Sequence, residues 1–184
     1  MPFVTPRRFA VAASMVLLVA CQDETNAPPR EEAPIIPVPS GAVQAVIQQE
    51  AATTDGLVTF VVRVLANGIT ISSFQGTVTF VPGSFELVDK KIPTGANGMT
   101  AVLNTEGFAE GRLRFAALTP TQFDSITAGS GIEAFRFTVR PLRPVEESGL
   151  VATLDVAGTD VGAAVGADRM LASPGVMVAG RSTK

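Results

Sequence analysis

The chain has 184 residues, 46% hydrophobic and 17% charged, with no His, Trp or Tyr and a single Cys. It is too apolar for a disordered chain, and long enough for one domain with extensions. The missing His excludes Ser-His-Asp and Cys-His catalysis and His-ligated metal, and one Cys cannot form an internal disulfide. Sugar-binding surfaces usually stack rings on Trp or Tyr, and here the only aromatic is Phe, 11 times. The composition favours a protein that binds over one that catalyses.

Residues 1–20 read as an export leader. Arg7 and Arg8 form a positive start, and 9–20 (FAVAASMVLLVA) is an uncharged run of 12 residues. That run is shorter than the ~20 residues a membrane-spanning helix needs. It ends in Leu18-Val19-Ala20-Cys21, which resembles a bacterial lipobox. The resemblance implies that the Cys21 thiol is acylated, that cleavage on its N-terminal side follows, and that the new amino group is usually acylated too. Two or three acyl chains, at about 0.8 kcal/mol per buried CH2, anchor a protein firmly in lipid. Gln22 stands where an Asp would resemble an inner-membrane retention signal, which favours the outer membrane, on its periplasmic or surface face. Removing Arg7 and Arg8 from the 14 basic residues leaves 12 against 17 acidic ones, a side-chain charge of −5. That balance argues against nucleic-acid and anionic-lipid partners.

Residues 21–40 begin with the lipidated Cys21 and continue as QDETNAPPREEAPIIPVPS, with Pro28, Pro29, Pro34, Pro37 and Pro39. Proline suits neither helix nor sheet, so an extended, acidic tether is expected.

From residue 41 to 184 the pattern changes to short β-rich runs broken by Gly, Pro, Asn and Asp. A first strand is expected at 42–48. The segment 57–65 (LVTFVVRVL) puts Phe60, Val62 and Val64 on one face. Within 69–81, Phe74, Val78 and Phe80 alternate with Gln75, Thr77 and Thr79. Asp89, Lys90 and Lys91 read as an exposed turn. A short strand follows at 99–104. In 112–116, Leu113 and Phe115 alternate with Arg112 and Arg114. Only 119–128 (TPTQFDSITA) has the Thr-Pro start of a helical turn. In 132–140, Phe135, Phe137 and Val139 alternate with Arg136, Thr138 and Arg140. Strands at 150–156 and 176–179 complete the set. A period of two throughout predicts half-buried antiparallel strands. About eight or nine of them in roughly 140 residues predict an all-β, two-sheet sandwich.

Residues 56–67 (GLVTFVVRVLAN) and 71–89 (ISSFQGTVTFVPGSFELVD) resemble a cohesin-type domain, through Asn67, Phe74, Gln75, Phe80, Pro82, Phe85, Glu86, Leu87 and Val88. EGRLRFAAL (110–118), SGIEAFRFTVRP (130–141) and LVATLDV (150–156) are similar to later strands of that family. The chain departs from the family in having Phe80-Val81-Pro82 where Tyr-Asp-Pro is common. The resemblance implies a jelly-roll sandwich that binds a separate dockerin-like protein through the flat outer face of one sheet. On this chain that face would present Gln75, Thr77, Thr79, Arg112 and Arg114.

Other chemistry leaves weaker marks. The Gly-rich pieces 95–98 and 158–168 lack a phosphate-binding pattern. Glu146, Glu147, Asp155, Asp160 and Asp168 offer oxygen ligands for a structural calcium ion without a diagnostic spacing. No catalytic residue and no other cofactor is indicated. The expected function is a lipid-anchored, exported, non-catalytic protein-binding module. A polysaccharide-binding module on the same fold is the alternative, and a carboxylate-based hydrolase is the weakest reading.

Overall fold

A computed structural model describes residues 38–93, 100–118, 131–159 and 163–178. The leader, Cys21, nearly all of the tether and the expected helical turn at 119–128 lie outside the described residues.

Alternation of apolar and polar side chains produces ten strands among the described residues. These are β1 (Val43–Gln49), β2 (Val58–Ala66), β3 (Ile71–Thr79), β4 (Phe85–Lys91) and β5 (Thr100–Asn104), followed by β6 (Arg112–Leu118), β7 (Ile132–Pro141), β8 (Val151–Thr159), β9 (Met170–Leu171) and β10 (Val176–Val178). The first sheet runs in the order β10-β1-β2-β7-β4, with β9 also on β1. The second runs β5-β6-β3-β8. The two pack as the sandwich that the sequence predicts.

The core is a continuous run of phenylalanine rings. Phe108 meets Phe80 at 4.9 Å between centroids, Phe80 meets Phe85 at 5.3 Å, and Phe85 meets Phe60 at 5.7 Å. Phe60 meets Phe137 at 5.3 Å, Phe137 meets Phe135 at 5.8 Å, Phe135 meets Phe115 at 5.2 Å, and Phe115 meets Phe74 at 6.3 Å. The run passes from the second sheet through the first and back. Tilted and edge-on contacts of this kind add about 0.5–1.5 kcal/mol per pair beyond burial. Valines from β1, β2, β3 and β7 fill the gaps between rings.

Phe115 depends on a glycine opposite it. Gly76 pairs with Phe115 across β3 and β6. A Cβ at position 76 would lie 2.4 Å from the Phe115 ring and 2.3 Å from the Thr153 carbonyl oxygen. The absent side chain is the space the ring occupies.

Three features depart from the sequence expectation. First, Lys90 and Lys91 belong to β4 and not to a turn. β4 pairs only with β7, so it is an edge strand, and charged side chains suit a sheet edge. Second, the first sheet is mixed, because β9 and β10 run parallel to β1. Between these two strands, Ser173 exchanges two hydrogen bonds with Ala152 of β8, at 2.8 and 2.9 Å. This closing segment laces the open side of the sandwich. Third, β1 is buried on both faces from Val43 to Ile47. On its outer side Val46 lies opposite Arg63, whose aliphatic stem flanks it.

The chain joins the domain at one pole. The Asn67 side chain donates to the Val38 carbonyl oxygen at 2.7 Å, and the Gly41 amide donates to the Asn67 carbonyl oxygen at 2.7 Å. The four residues between β2 and β3 place the start of β3 at this pole.

Gly76→Ala should cost about 3 kcal/mol, because ring and backbone must both move. Phe137→Ala should cost about 3–5 kcal/mol by opening a cavity in the ring run. Urea unfolding of each variant measures both. A Gly76→Ala protein as stable as the parent would contradict the packing described for Phe115.

Candidate functional site

The outer face of the second sheet is built by the residues that alternate with the core. On β6, Leu113, Phe115 and Ala117 point inward, and Arg112, Arg114, Ala116 and Leu118 point outward. Register then sets the rows. Arg112 lies beside Thr79, and Arg114 beside Thr77. Ala116 lies between Val102 and Gln75, and Leu118 between Thr100 and Ser73. On the far side of β3, Val156 pairs with Gln75 and Thr153 with Thr77. The five residues expected at a binding face, Gln75, Thr77, Thr79, Arg112 and Arg114, therefore lie on two paired strands of one sheet.

The face has two halves. Near the pole where the chain joins the domain, it is aliphatic. Val102 is 63% exposed, Leu118 61% and Val156 50%, and together they are three of the seven large apolar side chains exposed among the described residues. The sequence reading missed all three. Val102 and Leu118 were legible, because the alternation that buries Leu103 and Ala117 exposes their neighbours. Val156 was not. A bulge opposite Gln75 and Gly76 turns both Asp155 and Val156 outward, and alternation does not anticipate it.

The opposite half is polar. Asp155 accepts a hydrogen bond from the Thr77 hydroxyl at 2.9 Å. Arg112 and Arg114 stand two residues apart on β6, roughly 7 Å along the strand. Neither forms an ion pair among the described residues.

The outer face of the first sheet is different. Arg136 grips Glu133 through Nε and Nη2, both at 2.8 Å, and reaches Glu50 at 3.2 Å. Arg63 lies 3.9 Å from Glu133, and Arg140 lies 2.7 Å from Glu86. The Arg136 hydrogen bonds pull the Glu133 carboxyl below its ordinary value of 4.5, against a smaller opposing effect of burial. The strand arginines of this sheet are matched by glutamates, whereas Lys90 and Lys91 on the edge strand and the two arginines of the second sheet form no ion pair among the described residues.

The remaining acidic residues are dispersed. Glu146 and Glu147 sit in a 3-10 turn, Asp168 in another, and Asp160 lies outside the described residues. Among the described residues no three acidic or thiol side chains gather as a metal site would require. Every described Phe is buried or packed against the core, so none of them offers an exposed ring for sugar stacking.

Comparison with solved structures identifies the architecture. The chain superposes on a cohesin module from a family 33 glycoside hydrolase of Clostridium perfringens with a TM-score of 0.50 and 11% identity, over 74% of this chain and 96% of that one. The domain has the cohesin fold. A type I cohesin–dockerin complex from Clostridium thermocellum matches at a TM-score of 0.47 and 12% identity, over 74% of this chain and 99% of that one. A non-cellulosomal cohesin from Archaeoglobus fulgidus matches at 0.45 and 15%, over 73% and 91%. No protein-family model and no curated protein matches the sequence.

The contrast between the two faces has measurable consequences. The depressed Glu133 carboxyl stabilises the fold at pH values above the ordinary carboxylate range, and that contribution is lost as pH falls through its lowered value. Glu133→Gln should therefore flatten the acid limb of a stability–pH curve below about 4.5, measured as urea midpoints. Arg136→Ala should cost about 1 kcal/mol, and Arg114→Ala less than about 0.5 kcal/mol.

Proposed function

We propose that this chain is an exported lipoprotein whose cohesin-fold domain is a non-catalytic module that docks a protein partner on the outer face of β5-β6-β3-β8. One observation carries the reading. A flat four-stranded face combines exposed aliphatic side chains with two arginines that no carboxylate of the described residues neutralises. Arginine and apolar contact area are the usual components of a protein-binding surface. The cohesin fold supports the same conclusion, and the sequence resemblance to cohesins makes a dockerin-like protein the partner class. The buried Phe rings favour a protein over a polysaccharide. The lipobox ending at Cys21 and the proline-rich acidic tether support anchoring in the cell envelope, with the domain held away from lipid.

A photo-crosslinking residue at Gln75 or Ala116 should give a discrete adduct in intact cells, and one at Val88 on β4 should not. Equal adducts from all three positions, or none from any, would contradict the docking face. Replacement Cys21→Ser should abolish incorporation of labelled palmitate. Undiminished labelling in that variant would refute the lipid attachment.

A further inference from the structure

The chemistry of the face goes further than its location, and specifies the kind of segment that fits it. Resting on the proposed docking role, we infer that the partner segment is acidic at one end and aliphatic at the other, and that it lies in a fixed direction along the strands.

Charge sets the first half. Arg112 and Arg114 project side by side from β6, and the one carboxylate on the face, Asp155, is engaged by Thr77 on the far side of β3. Two like charges left adjacent are mutually unfavourable, and the described residues of a chain that is acidic overall supply no carboxylate to them. On the first sheet every arginine described above has a glutamate. Among the arginines that stand on strands, the two without a carboxylate are therefore those of β6. Guanidinium groups bind carboxylates through paired hydrogen bonds, so two Asp or Glu side chains of a partner complete this end.

Apolar surface sets the second half. Val102 and Ala116 are direct cross-strand neighbours, Leu118 follows Ala116 on the same side of β6, and Val156 lies beyond Gln75 in the Ala116 row. These side chains are branched or small, so they suit aliphatic contacts and give no platform for a sugar ring.

The two halves lie in line. The Leu118 row is nearest the pole pinned by Asn67, and the Arg112 row is at the opposite end of the same strands. The bound segment consequently points its carboxylates away from the tether and its aliphatic side chains towards it. The electrostatic end governs encounter and salt sensitivity, and the aliphatic end governs residence.

Selection of a displayed library of randomised helical peptides on the immobilised full chain tests this. The probes are the selected peptides. The expected result is enrichment of sequences with paired Asp or Glu a turn or more from Leu, Ile or Val. Their binding should fall about tenfold or more with Arg112→Glu/Arg114→Glu, and should weaken as salt rises from about 0.05 to about 0.5 M. Val102→Asp/Leu118→Asp should also abolish binding. All four positions are exposed, so unchanged melting temperatures confirm that the variants are folded. Enriched peptides without acidic bias, yet blocked by Val102→Asp/Leu118→Asp, overturn this inference and leave the docking face standing. Peptides indifferent to both pairs, or no enrichment at all, overturn the face as well. Retention on polygalacturonate that Arg112→Glu/Arg114→Glu abolishes, with no peptide selected, overturns it in favour of an anionic glycan.

Discussion

The packing of the phenylalanine rings is the constraint on which the rest of the domain depends. Eight rings, from Phe108 to Phe74, form one connected run between the sheets. Alternate inward positions, Phe74 and Val78 on β3, Leu113 and Phe115 on β6, and Phe135, Phe137 and Val139 on β7, fix which side of each strand faces in. They therefore also fix which side faces out. A shift by one residue on β6 would bury Arg112 and Arg114 and expose Leu113 and Phe115. Gly76 guards that register, since Phe115 crosses β3 where a side chain would otherwise stand.

The same constraint explains the chemistry of the surface. With no Trp or Tyr in the chain and the described Phe side chains committed to the core, the described outer faces have aliphatic, hydroxyl, amide and charged groups to work with. On the first sheet Arg63, Arg136 and Arg140 are matched by Glu133, Glu50 and Glu86, and among the described residues the edge-strand Lys90 and Lys91 stand without an ion pair there. On the second these groups separate into an aliphatic half and a cationic half. A face whose charges are satisfied internally gains little from a partner, and one whose charges are unmatched gains more.

Much of this was legible from residue order alone. Alternation assigned Phe60, Phe74, Phe115, Phe135 and Phe137 to the interior and turned Gln75, Thr77, Thr79, Arg112 and Arg114 outward, and only the resemblance to cohesins implied that these two strands share one face. What alternation lacks is any record of pairing. Asp89, Lys90 and Lys91 have the composition of a turn, and only their position on an edge strand makes them strand residues. The parallel closure by β9 and β10 involves five residues, too few to show a period. Val156 is exposed because of a bulge, a property of two strands in register and not of either sequence. The proposed lipobox at Cys21 stands apart from this, since its meaning would lie in recognition of a leader and not in folding.

The most direct test of partner docking on β5-β6-β3-β8 is thiol accessibility in living cells. The chain has one Cys, whose proposed acylation removes it as a background signal. Single cysteines placed at Gln75, Ala116 and Arg114 should resist maleimide in intact envelopes and react freely in the purified protein. A cysteine at Val88 should react in both. Equal reactivity of all four in the envelope would show that nothing covers the face.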